Sequence, residues 1–168
     1  IVFGDWSSDV CSSDLAMAVL NNLLGGPVMN SRLSLALRER SGLTYHNESS
    51  YSAYSDTGIV SIYFGTDPAR FGQALDIVHR ELRKLREKKL TPAQLQIVRR
   101  QVAGQLAISA ESNMATMLAM GKSFLLLNRF DTIEETLRKV DAITAGDLME
   151  IANEVFDPER LGIIVYQP

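Results

Sequence analysis

The chain has 168 residues, 46% of them apolar and 22% charged, with a formal net charge of −3. Such a length accommodates one domain with a sizeable core, and the charge balance gives no footing for nucleic acid or an anionic membrane surface. No apolar run, residues 124–127 included, approaches a membrane span, and a single cysteine excludes an internal disulfide, in keeping with a reducing, cytoplasmic setting.

The chain opens with IVFGDWSSDVCSSDL, which differs in character from everything after it. It holds the only tryptophan, Trp6, and the only cysteine, Cys11, and it has no Lys or Arg. A signal peptide needs a basic start and a continuous apolar stretch, and neither is present. Residues 5–15 match, position for position, one reading frame of a widely used short-read sequencing adapter. The expectation is therefore an artefactual segment over residues 1–15, a single domain over residues 16–168, and a natural N-terminus that is missing. Without Asp5, Asp9 and Asp14 the 20 acids fall to 17, equal to the 17 bases.

Residues 16–24 read as a helix stopped by Gly25-Gly26-Pro27. Asn30 is placed to cap a second helix reaching Arg40, with Leu33 and Leu37 on one face and Gly42 as the residue that ends it. The period then changes. Residues 43–54 and 59–64 read as a hairpin about the turn Ser55-Asp56-Thr57-Gly58, with Val60, Ile62 and Phe64 sharing a face.

Beyond Asp67-Pro68 the reading is mostly helical. Phe71, Leu75, Val78, Leu82 and Leu85 form an apolar stripe, and Thr91-Pro92-Ala93-Gln94 is a capping box with proline at the first helical position. Met114, Met117, Leu118, Gly121 and Leu125 mark another helix. Asp131 with Glu134, and Thr144 with Asp147, open two short ones. Residues 161–166 read as a closing, buried strand. Early strands and late helices give an α+β fold, a largely antiparallel sheet with helices packed on one face, and its few strands suggest that an N-terminal strand is missing.

Chemistry alone is restrained about sites. His46 and His79 are the only histidines and neither has a partner at helical spacing, so no metal site is expected within this chain. Gly25-Gly26-Pro27 is too short for a phosphate loop. The basic run over residues 80–89 is interrupted by Glu81 and Glu87 and reads as a solvated face, not a nucleic-acid footprint. Met114, Met117 and Met120 read as core filler. Arg38 and Tyr45 stand seven residues apart, at the end of a helix and the start of a strand. They could form a donor pair at a sheet edge, or simply be a surface Arg and a packed Tyr.

Several segments in order carry a resemblance: Leu24-Gly25-Gly26, Met29-Asn30-Ser31-Arg32-Leu33, Leu37-Arg38-Glu39-Arg40-Ser41-Gly42-Leu43-Thr44-Tyr45 and Tyr54-Ser55-Asp56-Thr57-Gly58. Leu90-Thr91-Pro92-Ala93-Gln94-Leu95 and Ile143-Thr144-Ala145-Gly146-Asp147-Leu148 extend it. Residues 16–168 resemble the C-terminal domain of the pitrilysin/insulinase-type zinc metallopeptidases, in particular small bacterial relatives of mitochondrial processing peptidase. The resemblance implies an α+β domain that closes a substrate chamber over a catalytic partner. Zinc would be bound by the missing N-terminal domain, through His-x-x-Glu-His; this sequence lacks that motif and should be inactive alone.

By the same resemblance, Arg38 and Tyr45 would donate hydrogen bonds to the scissile carbonyl, and Gly25 and Gly26 would help receive peptide substrate. Implied partners are the N-terminal catalytic domain of the same chain or a partner subunit, with a homodimer also allowed. No nucleic acid or membrane is implied. The alternative is an inactive partner or scaffold subunit of a processing-peptidase-like complex. A helical nucleic-acid-binding module, the third reading, rests on the basic run alone.

Overall fold

Antiparallel pairing accounts for every strand contact among the described residues. In a computed structural model, which describes residues 2–3, 12–27, 29–54, 57–128 and 130–166, β1 (Val2–Phe3), β2 (Thr44–Ala53), β3 (Gly58–Thr66) and β4 (Leu161–Gly162) form one sheet in the order β2-β3-β1-β4. Tyr51 lies opposite Val60 and Ser49 opposite Ile62. Strand alternation then sends Val60 and Ile62 into the core, with Phe64 packed against it, and turns Glu48, Ser50 and Tyr63 outward. The hairpin closes through the Tyr54 amide, which donates to the Thr57 carbonyl at 2.8 Å. Ser55 and Asp56 of the expected turn lie outside the described residues, as do Trp6 and Cys11.

Helices cover the inner face. They are α1 (Ser12–Gly25), a π-helical segment (Ser34–Glu39), α2 (Phe71–Glu87), α3 (Pro92–Ala110), α4 (Asn113–Leu127), α5 (Ile133–Ala142) and α6 (Ala145–Val155). α1 is the central one: Met17, Val19, Leu20 and Leu24 are buried, and the helix packs on β2, α3, α5 and α6. α2 packs on α6, and α3 on α4 and α5. The α+β reading, with helices on one face of an antiparallel sheet, therefore holds. α1 starts earlier than the expected residue 16. In its first turn Asp14 accepts a hydrogen bond from the Tyr51 hydroxyl at 2.5 Å. Burial first, then that bond and the Asp14 charge, hold the Tyr51 phenol well above its usual range.

Five sequence expectations need correction. The N-terminal strand is represented by two residues: Val2 stands opposite Ser61 and Gly162, and Phe3 opposite Val60 and Leu161. β4 is correspondingly short. Ile163 to Tyr166 are exposed instead of buried, Tyr166 by 90%. Ser31, not Asn30, starts the second helix: its hydroxyl accepts from the Ser34 amide and its carbonyl from the Leu35 amide, while the Asn30 side chain accepts from Gln101. α5 is capped one residue later than expected, by Thr132 with Glu135, and Asp131 pairs with Lys139. Met114, Met117 and Met120 are surface residues, because α4 is apolar on all sides and the neighbouring helices shelter only part of it.

Candidate functional site

The site proposed from sequence lies where the second helix hands the chain to β2. The Arg40 amide bonds the Leu35 carbonyl at 3.0 Å, five residues back, so this helix is wound wider than an α-helix. Its exit is wider by the same one residue. The Gly42 amide reaches the Arg38 carbonyl at 3.0 Å and the Leu43 amide reaches the Leu37 carbonyl at 2.9 Å, each one residue longer than in the usual glycine-terminated helix. Gly42 has φ of +57°, the left-handed region where a side chain is strained. The stop at Gly42 therefore follows the sequence expectation, while the π winding does not.

The entry to β2 is held as firmly. Thr66 Oγ1 donates to the Leu43 carbonyl at 2.7 Å, and buried Thr44 donates through Oγ1 to the His46 carbonyl at 2.6 Å. The pairing with β3 slips between Thr44 and Asn47, so Tyr45 and His46 sit in a bulge. A bulge re-aims side chains, and here it leaves Tyr45 99% exposed. The Tyr45 hydroxyl has no hydrogen-bond partner among the described residues. Arg38 is partly exposed and uses only Nε, which donates to Glu39 Oε1 at 2.9 Å; its terminal nitrogens have no bond among the described residues. No hydrogen bond joins Arg38 to Tyr45. The two lie seven residues apart on one helix–turn–strand unit, Tyr45 exposed and Arg38 partly exposed.

Sequence reasoning missed the company they keep. The His46 and Tyr63 rings lie 5.9 Å apart at an interplanar angle of 53°, and His46 Nε2 is 3.7 Å from Glu48 Oε2. His46, which follows Tyr45 in the chain, Glu48 and Tyr63 are all exposed. Their association depends on the bulge, which has no local sequence signal here.

Gly25 and Gly26 sit at the end of α1. A Cβ on Gly25 would come within 2.6 Å of the Ser49 Cβ, so glycine lets α1 close on β2. Asn21 secures that contact by donating from Nδ2 to the Ser49 carbonyl at 3.0 Å. Gly26 lies against the Asn22 backbone, where a Cβ would meet the carbonyl oxygen at 2.8 Å. Both glycines thus have a packing reason to be glycine.

Zinc does not fit the described residues of this chain. Among them no three His, Cys, Asp or Glu side chains gather as a ligand set, His46 is engaged with Glu48, and His79 lies away on α2. No helix of the described residues is long and apolar enough to cross a membrane.

Comparison with known proteins extends this geometry. An uncharacterised zinc protease of Bacillus subtilis, YmxG, is 34% identical over 140 residues, covering 83% of this chain and 34% of that protein. The chain thus spans about a third of the length of that curated relative. The peptidase M16 inactive domain from Pseudomonas fluorescens superposes with a TM-score of 0.79 at 19% identity, over 95% of this chain and 38% of that one. A chain of complex III2 from Candida albicans superposes at 0.76 with 18% identity, over 91% of this chain and 39% of that one. At these identities the structural likenesses show the fold. The family described as the peptidase M16 inactive domain matches residues 12–102, more than half of the sequence, and the chain belongs to that family.

Proposed function

We propose that this domain is the non-catalytic half of a zinc metalloendopeptidase, closing the substrate chamber and presenting Arg38 and Tyr45 to the scissile carbonyl of a peptide. The observation that carries the reading is Tyr45 itself. It is a large side chain fully turned out by a bulge, with an unused hydroxyl, on the same unit as the unused terminal nitrogens of Arg38. When a nucleophile attacks a peptide carbonyl, charge collects on the oxygen. Donors already aimed at that oxygen stabilise the transition state more than the ground state. Arg contributes a permanent charge and Tyr a neutral donor.

On this reading the metal is held by a catalytic domain carrying His-x-x-Glu-His, on the same chain or a partner subunit, and Gly25 and Gly26 lie along the path of entering substrate. A homodimer of such two-domain units is compatible with it, and the lack of cysteine after residue 15 favours the cytoplasm. We read residues 16–168 as the domain and residues 1–15 as an artefactual, adapter-derived segment, whose Val2–Phe3 pair with β3 and β4 and whose Ser12 to Leu15 form the first turn of α1. Native codons in the source DNA immediately ahead of Ala16 would overturn that division.

The test is kinetic, on the full-length protein with an internally quenched peptide. Arg38→Ala and Tyr45→Phe should each lower kcat at least roughly tenfold with little change in KM, the pattern of a donor used mainly in the transition state. A loss under about twofold for both would remove the assignment. The alternative, a scaffold subunit, draws on the fold likeness to the chain of complex III2. Full-length protein that binds no zinc and cleaves no peptide, while assembling stably with another subunit, would favour it.

A further inference from the structure

A concavity lies between the π-helical segment, the end of α2 and the start of α3. It encloses about 430 Å³, within the range of roughly 300–1,000 Å³ usual for small-molecule sites. Arg32 and Arg40 enter it from one wall, and Lys84, Lys88 and Lys89 from the other. One carboxylate, Glu81, lies among them. Glu81 is 6% exposed and its ion pair, at 2.6 Å, is with Lys84. Arg32, Arg40, Lys88 and Lys89 have no carboxylate within ion-pair distance among the described residues. Four cations with no ion pair among the described residues therefore line one cavity.

Part of this has an ordinary cause. Lys84 and Lys88 end α2, and Arg40 ends the π-helical segment, where cations offset the partial negative charge of the last carbonyls. Arg32 escapes that explanation. It stands near the start of its helix, where the dipole disfavours a cation, and it is half-buried. Burial holds its guanidinium below the ordinary arginine range, with Glu81 opposing from a distance. The N-terminus of α3 also opens here, through Thr91 and Gln94. Its capping box already uses the Thr91 and Gln94 amides, so the side-chain cations remain as the donors for a ligand.

We infer that this cavity binds a compact polyanion, the phosphate chain of a small molecule, held by Arg32 and Arg40 on one side and Lys88 and Lys89 on the other. Arg offers a planar fork that matches phosphate oxygens, and Lys a mobile point charge. The proposal is independent of the role assigned to Arg38 and Tyr45.

Inorganic tripolyphosphate titrated calorimetrically into the full-length protein in ~0.1 M salt should bind saturably, one per chain, and more weakly as salt rises. Lys88→Glu with Lys89→Glu should weaken binding at least about tenfold. Arg80→Glu with Arg83→Glu changes the net charge equally, on exposed residues outside the cavity, and should leave affinity within about twofold. ATP that binds no tighter than tripolyphosphate assigns the site to the phosphate chain alone; tighter ATP assigns it to a nucleotide. Absence of saturable binding to either overturns the proposal. So does equal loss in the two charge reversals, or binding of an oligoglutamate peptide with none of tripolyphosphate.

Discussion

Gly42 shows how much of the candidate site hangs on one residue. Its φ of +57° turns the chain from a helix carrying Arg38 into a strand carrying Tyr45, with open space where a Cβ would sit. The cost of substitution is therefore backbone strain alone. Gly42→Ala should lower stability by about 1 kcal/mol, read as a shift in the urea midpoint at unchanged m-value. If the midpoint does not move, the left-handed turn is not a constraint on this unit. That glycine was legible from sequence, because a glycine just past a run of helix formers has few other uses. The exposure of Tyr45 was not, because it depends on how β2 registers against β3, and register is a relation between two segments.

At the scale of elements, the caps are the most local feature and the best foretold. Thr91 with Gln94 and Thr144 with Asp147 each form the reciprocal bonds that their spacing implied. α6 depends on its cap more than its length suggests, since Leu148, Ile151, Ala152 and Val155 are buried and the helix packs on both α1 and α2. Thr144→Ala should therefore cost about 1 kcal/mol, measured by equilibrium unfolding of the whole chain, with Thr144→Ser retaining most of the stability. Equal losses for the two would point to packing, not the hydroxyl, as the contribution. The π winding of the second helix was invisible by comparison. Its sequence fits an α-helix, and the extra residue is accommodated where the segment must meet α2 and β2 at once.

For the whole molecule, the question is which apolar residues become core. Leu37 and Leu125 are both helical leucines, yet Leu37 is fully buried and Leu125 is 84% exposed. Leu37→Ala should cost roughly 2–5 kcal/mol and Leu125→Ala less than about 0.5, by urea unfolding of each variant. Comparable costs would mean that α4 packs on something in solution. The basic run divides in the same way. Arg80 and Arg83 are solvated as expected, whereas Glu81 is buried and Lys84, Lys88 and Lys89 turn toward the cavity beside Arg32. A run of alternating charge reveals that a helix has a polar face, but not which neighbour will fold against that face.

By itself the sequence determined the order of the main helices and the hairpin, the capping boxes at Thr91 and Thr144, the stops at Gly25 and Gly42, the hairpin's inward face and the family to which the segments belong. Each of these rests on interactions within a few residues, or on a pattern repeated along one segment. Tertiary structure decided the rest: the bulge that exposes Tyr45, the π turn under Arg38, the early end of β4, the exposed flank of α4, and the gathering of Arg32 with the end of α2. Those depend on contacts between segments far apart in the chain. Their geometry is settled when the segments compete for the same core, and no single stretch contains that information.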